Sequence, residues 1–178
     1  GFSVYQALNL NTTQLVAIQE VSEVFEDKKE AQRAYIEIKI FKLLQHNNIS
    51  NLKKFISPPI FEDFNKFFIV SETLDSTLDQ IISNPDILLT ANNRRFIIFQ
   101  ILNALKYLHS AHIVVKSMSP LNLFVDSYYN TKFLLFGIEQ FQKPHKTSDF
   151  RYKAPEIFFL NNRIDTSADI WSVGCIFY

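Results

Sequence analysis

The chain has 178 residues, 47% of them hydrophobic, with 18 acidic and 18 basic side chains and hence no formal net charge. That is an ordinary globular composition, long enough for one substantial core, and without a clustered Lys/Arg run it gives no footprint for nucleic acid or for an anionic membrane. One cysteine, Cys175, excludes a disulfide framework and reads as a buried, inert thiol, while the lack of a membrane-length apolar run or a secretory leader directs the expectation to the cytoplasm or nucleus.

Residues 2 to 22 alternate apolar and polar in two runs, FSVYQALNL and QLVAIQEV, separated by Asn11, Thr12 and Thr13, which predicts a β-hairpin. From Glu26 to His46 the period becomes helical, with Ala31, Ala34, Ile38, Phe41 and Leu44 on one face. NLKKFISPPIF and KFFIVSE follow as two strands joined at Asp63 to Asn65, and Pro58 and Pro59 suggest that the first is an edge or bulged strand. After Glu72 the pattern turns helical, beginning with LDSTLDQIIS, whose serine and aspartate are available for capping. Thr90 reads as the N-cap of a longer helix with Ile98, Ile101, Leu102, Leu105 and Leu108 as its buried stripe.

Residues 112 to 137, HIVVKSMSPLNLFVDSYYNTKFLLFG, read as a loop fixed by Pro120, a strand ending in LNLFVD, a turn at Ser127 to Asn130 and a strand ending in Phe-Gly. A polar segment follows, then a last helix starting near Thr166 or Ser167. The expected fold class is α+β and two-lobed: a β-rich half with one long helix over residues 1–71, a connection over 72–75 and a mainly helical half over 76–178, with a ligand cleft between the lobes.

VAIQ at Val16 to Gln19, AYIEIKIFKLL, HNNI at His46 to Ile49, LHSAHIVVKSMSPLNLFVD, LLFG, YKAPE and DIWSVGC stand in the order and near the spacings of the eukaryotic protein kinase domain. The chain resembles that family over essentially its whole length, and SPPIFEDFNKFFIVSETLDSTLDQII with the YKAPE and DIWSVGC forms is most similar to its MAP-kinase branch, in the CMGC group. The resemblance implies a bilobal kinase fold, with the first strand and most of the glycine-rich loop falling before Gly1 and several helices after Tyr178.

It also implies what each catalytic position should hold. A kinase fixes the triphosphate with a strand lysine paired to a helix glutamate, because phosphate charge needs fixed cations. Here Gln19 takes the lysine position and Glu37 the glutamate, no Lys or Arg occurs in residues 1–27, and a neutral Gln19–Glu37 hydrogen bond is expected instead. In the catalytic loop the histidine, arginine, aspartate, lysine and asparagine positions are Val115, Lys116, Ser117, Ser119 and Asn122. Asn122 alone keeps its role and is the one remaining metal candidate, while Lys116 keeps a positive charge for an acidic or phosphorylated group after Gly137. The metal-binding aspartate is Leu135; no Asp or Glu lies between His112 and Val125 or between Thr131 and Ile138, and Asp126 and Glu139 are the nearest acids.

The resemblance further assigns Phe41, Leu52, Val115 and Phe136 to an apolar stack, Gly137 to the end of LLFG, Asp169 to the support of the catalytic-loop backbone, and Glu156 to an arginine partner lying after Tyr178. Adenine would meet backbone groups of Glu72 and Leu74, with Ser71 at the back of the pocket and Val4, Ala17 and Phe124 as the remaining nucleotide-pocket positions. Counting back from Gln19 puts Val4 at the valine of the glycine-rich loop and Phe2 at its third glycine, or Ser3 there if one residue is deleted. The segment after Gly137 carries Thr147 and Ser148 but lacks the threonine and tyrosine separated by one residue that form the MAP-kinase phosphorylation switch. Of the histidines, His46, His109 and His112 are expected to cap and pack, and His145 to be solvated.

Losing one preorganised contact costs on the order of 10²- to 10³-fold in rate. Losing the lysines, the base and the metal ligand together brings turnover close to the uncatalysed reaction. The reading that follows is a pseudokinase, a non-catalytic module for a protein partner such as a kinase or its substrate, needing no cofactor and binding ATP weakly and without metal. Two alternatives stand beside it: an active serine/threonine kinase on substituted residues such as Lys116, and a decayed product without a stable fold.

Overall fold

The computed structural model describes residues 2–22, 28–57, 66–72, 75–116, 118–134, 150–159 and 165–178. The chain divides into two compact units, residues 1–45 with 50–73, and residues 46–49 with 74–178. The architecture is α+β.

The first unit is a four-stranded antiparallel sheet, β1 (Phe2–Asn9), β2 (Gln14–Ser22), β3 (Leu52–Ile56) and β4 (Lys66–Glu72), in the order β1-β2-β4-β3, with α1 (Lys28–Leu43) between β2 and β3. The predicted hairpin is present: Thr12 and Thr13 N–H both donate to Asn9 O, and Thr13 takes φ 55° to complete the turn. Period-two alternation places Ala17, Gln19 and Val21 of β2 on one face, opposite Ser71, Ile69 and Phe67 of β4, and all six are buried. β3 lies at the sheet edge and shifts register between Leu52 and Lys54, as the edge or bulge expectation required. The proline pair and the turn after it fall outside the described residues. Along α1 the predicted stripe is buried at Ala34, Phe41 and Leu44 and half-buried at Ala31 and Ile38.

Among its described residues the second unit holds a three-stranded sheet, β5 (Ser76–Thr77), β6 (Leu123–Val125) and β7 (Thr131–Phe133), and the helices α2 (Leu78–Ser83), α3 (Ala91–Ser110), α4 (Glu156–Phe159) and α5 (Ser167–Phe177). The capping of α2 differs from the expectation. Ser76 and Thr77 pair with Val125 and Phe124 as β5, and Thr77 becomes the N-cap: Gln80 N–H donates to its Oγ1 at 3.2 Å and Thr77 N–H donates to Gln80 Oε1 at 2.9 Å. Thr90 caps α3 as predicted, accepting from Asn93 N–H at 3.2 Å.

The stripe of α3 is corrected in phase. Ile97, Gln100, Ile101, Ala104, Leu105 and Leu108 are buried, Ile98 is half-buried and Leu102 is exposed. The run FIIFQIL is apolar nearly all round, so composition leaves the helix free to rotate, and the partners of Gln100 fix which side faces inward. Each Ile or Leu fully buried there contributes about 1.5–3 kcal/mol. Cys175 is half-buried on α5 rather than buried.

The start of α5 is held by Asp165, whose Oδ1 accepts from Ser167 N–H at 2.8 Å and from the Ser167 hydroxyl. These two donors hold the Asp165 carboxyl below its ordinary value. Within the helix, a Cβ on Gly174 would meet nothing within 4 Å. Gly174→Ala should therefore raise stability by about 0.5–1 kcal/mol by restoring helix propensity, an upward shift read by thermal denaturation.

Candidate functional site

In the second unit the site begins where α3 ends. Ile113 N–H donates to Leu108 O and His112 N–H to His109 O, each at 3.0 Å, and His112 takes φ 57°. This is a left-handed helix stop of the kind usually given to glycine. The chain then runs through Val115, buried, and Lys116, which lies in the left-handed region at φ 67°.

Asp169 on α5 accounts for that backbone. Fully buried, it accepts from Lys116 N–H at 2.7 Å on Oδ1 and from Val115 N–H at 3.0 Å on Oδ2, and Oδ2 also lies 2.8 Å from His109 Nε2. One carboxylate thus joins α5, the end of α3 and the loop. His109 is a partner of this carboxylate rather than a simple helix-end residue, a role the sequence does not reveal because the two residues lie 60 apart.

Beyond the loop, Pro120 starts a 3-10 turn, Pro120–Asn122, and is itself buried. Asn122 N–H donates to Ser119 O at 3.2 Å, Ser119 N–H donates to Asn122 Oδ1 at 3.1 Å, and Asn122 O accepts from Leu134 N–H at 2.9 Å. The side-chain oxygen of Asn122 therefore serves its own turn. Phe124 is half-buried on β6, facing Lys132 across the ladder. Asp126 is consumed by the next turn, accepting from Tyr128 N–H, Asn130 N–H and Asn130 Nδ2 at 2.8–2.9 Å.

A buried amide fixes this hairpin on α3. Gln100 Oε1 accepts from Asn48 Nδ2 and Thr131 N–H, both at 3.0 Å, and its Nε2 donates to Tyr129 O at 2.8 Å and Phe96 O at 3.3 Å. Asn48 also donates to Thr131 O, and Phe133 N–H donates to Asn48 O. Nearby, His46 stacks on Tyr107 with centroids 5.0 Å apart and accepts from Asn48 N–H on Nδ1. Burial pushes this imidazole below its ordinary value. Ser172 on α5 donates to Tyr152 O at 2.7 Å, holding the segment that leads through buried Ala154 to Glu156, half-buried at the first position of α4.

In the first unit, Gln19 is fully buried at the centre of β2, opposite Val4 of β1 and Ile69 of β4. Ala17 and Ser71 face each other, both buried, and Ser71 Oγ has no hydrogen-bond partner among the described residues. Glu72 N–H donates to Asn51 O at 3.1 Å and Glu72 O accepts from Ser50 Oγ at 2.8 Å, so both backbone groups of Glu72 have partners within the unit. Phe41 is buried on α1 and Leu52 half-buried on β3.

Several expected positions fall outside the described residues: Leu74, Ser117, Leu135, Phe136, Gly137, Glu139, His145, Thr147 and Ser148, together with the side chains of Val4 and Glu37 and hence the Gln19–Glu37 hydrogen bond. Among the described residues no three His, Cys, Asp or Glu side chains gather as a metal site, and no helix is long and apolar enough to cross a membrane.

Comparison with known proteins agrees with this backbone arrangement. The model of the protein kinase domain matches residues 2–178. Mitogen-activated protein kinase 14 of Arabidopsis thaliana is 35% identical over 178 residues, covering 98% of this chain and 49% of its own. The homolog MMK2 of Medicago sativa is 35% identical over 182 residues, covering 97% and 48%, and mitogen-activated protein kinase 5 of Oryza sativa subsp. indica is 33% identical over 183 residues, covering 98% and 48%. The chain thus spans about half the length of the curated relatives it matches. With the aspartate-supported loop, the Pro120–Asn122 turn and the β6–β7 hairpin in that order, the chain belongs to the protein kinase domain family and is MAP-kinase-like.

Proposed function

We propose that this MAP-kinase-like domain, of the CMGC group, is a pseudokinase: an interaction or allosteric module that engages a protein partner, a kinase or a kinase substrate, in the cytoplasm or nucleus. The observation that carries the reading is a contrast around one backbone. Asp169 holds the loop at Val115 and Lys116 with two charge-assisted hydrogen bonds, while the positions that supply charge to phosphoryl transfer are Gln19, Ser117, Ser119 and Leu135. A neutral amide, two hydroxyls and a hydrocarbon neither neutralise a triphosphate nor take a proton from an alcohol at neutral pH. Asn122 is the residue left for a metal, and the Ser119 N–H already occupies part of its oxygen.

Nucleotide binding in this reading is weak and independent of metal. By sequence position Ala17 and Val4 are the apolar residues available to an adenine ring. At 1 mM ATP, a Kd of about 1 mM stabilises the fold by RT ln 2, about 0.4 kcal/mol, which for a domain of this size is a rise in Tm of roughly 1–2 °C. Differential scanning fluorimetry should give that shift or less, unchanged by magnesium. A shift of several degrees that requires magnesium overturns the reading.

A further inference from the structure

One residue closes the turn at residues 46–49 from both its backbone and its side chain. His46 O accepts from Ile49 N–H, and His46 Nδ1 accepts from Asn48 N–H, each at 3.1 Å. The turn presents what anchors this segment in the second unit. Asn48 Nδ2 donates to Gln100 Oε1 and to Thr131 O, Asn48 O accepts from Phe133 N–H at 2.9 Å, and Ile49, fully buried, bridges Phe133.

The chemistry of the imidazole makes this closure depend on a proton. A backbone N–H can only donate, so Nδ1 must carry a lone pair and the proton of the neutral ring lies on Nε2. Protonation places a hydrogen on Nδ1 and sets two donors against each other, so the bond is lost and Asn48 N–H is left without its acceptor. Burial opposes the charged ring and pushes its pKa below the ordinary value. The Tyr107 face, stacked at 5.0 Å, attracts an imidazolium, but that attraction does not restore the lost acceptor.

No carboxylate on the elements around the turn compensates. α3 carries Arg94, Arg95 and Lys106, all exposed, with Tyr107 in the stack and His109 turned to Asp169. On the hairpin, Lys132 stands opposite Phe124, and Asp126 is taken up by donors of its own turn. Gln45, Asn47 and Asn48 beside His46 are uncharged, and Lys42 at the end of α1 is exposed.

We propose that His46 is a proton-operated latch: neutral, it closes the 46–49 turn and holds Asn48 against Gln100 and Phe133, and protonated, it opens the turn and loosens the segment. Because the folded-state pKa lies below the unfolded one, the stabilisation is complete above the ordinary imidazole range and is lost as pH falls through the depressed value. The latch goes beyond the reading of the domain as an interaction module and does not depend on it.

The test uses the whole chain in solution. Long-range proton–nitrogen NMR of the ring at about pH 7.5 should show the His46 proton on Nε2. Amide hydrogen exchange, corrected for its intrinsic pH dependence, should show protection of Asn48 and Phe133 falling about threefold or more between about pH 7.5 and about pH 5, with Leu105 and Leu108 in α3 unchanged. His46→Asn, which offers an oxygen in place of Nδ1 and does not titrate, should keep the protection of Asn48 at both pH values. His46→Phe, which keeps the stack but has no acceptor, should show the low-pH protection throughout. The ring measurement and the exchange profile of the unsubstituted chain decide the matter even where a variant fails to fold. A proton on Nδ1 at neutral pH, protection of Asn48 that ignores pH, the same fall in His46→Asn, or an equal fall at Leu105 and Leu108 each overturns the proposal.

Discussion

Asp169→Ala is expected to destabilise the protein by about 3–5 kcal/mol, a large fraction of the roughly 5–15 kcal/mol that holds an ordinary domain folded. The carboxylate is fully buried and joins three elements through His109, Val115 and Lys116. Removing it leaves two backbone N–H groups without their acceptor, each costing about 1–3 kcal/mol, and it frees a lysine backbone kept at φ 67° against its own preference. Asp169→Asn retains an acceptor oxygen for one of the two N–H groups but turns an amide toward the other, so roughly half the loss is expected. Urea denaturation followed by circular dichroism gives both values. A loss below about 1 kcal/mol for Asp169→Ala would show that the loop holds itself.

Gln100→Ala should cost about 2–4 kcal/mol. Every hydrogen-bonding capacity of this amide is used, on Asn48, Thr131, Tyr129 and Phe96. Its loss strands the buried Thr131 N–H and leaves a cavity beneath the β6–β7 hairpin. Gln100→Glu separates the two contributions: it keeps acceptors for Asn48 and Thr131 but turns an oxygen toward the carbonyls of Tyr129 and Phe96. A cost for Gln100→Glu close to that of Gln100→Ala is expected, because a buried carboxylate facing two carbonyls is repelled as well as desolvated. If Gln100→Glu is neutral, the donor half of the network carries nothing.

These two residues also mark how far the sequence reaches. Asp169 was legible because its motif has a fixed place in the family, and the structure gives it the backbone partners that place implies. Gln100 was not legible: period arguments count apolar positions, and an amide within FIIFQIL reads as the polar side of a helix. Its burial follows from groups contributed by Asn48 and by a turn some thirty residues downstream, which local pattern does not contain. The same limitation displaced the α3 stripe to Leu102, which is exposed, at the expense of Ile97 and Ala104. Strand assignments fared better: FSVYQALNL and QLVAIQEV pair as the hairpin, and the second buries Ala17, Gln19 and Val21 on one face. The cap of α2 was missed because Ser76 and Thr77 serve first as a strand paired with Val125 and Phe124, and Thr77 rather than the serine or aspartate caps the helix.

At the candidate site the sequence names residue types but not which of their atoms are already engaged. Asn122 and Glu72 are the residue types that the resemblance assigns to a nucleotide site. Yet Asn122 Oδ1 is bonded to Ser119 N–H, and the Glu72 carbonyl to Ser50. Conversely, the hydroxyl of Ser71 is buried and finds no partner among the described residues, which no composition argument would reveal.

The central claim is that the frame of a kinase site persists without the groups that transfer phosphate. Its most direct measurement is a phosphotransfer assay on the purified chain, with radiolabelled ATP, magnesium and manganese in separate reactions, and both a general protein substrate and the chain itself as acceptors. The account predicts incorporation indistinguishable from the no-enzyme blank with either metal. Incorporation above the blank that Lys116→Ala abolishes would contradict it.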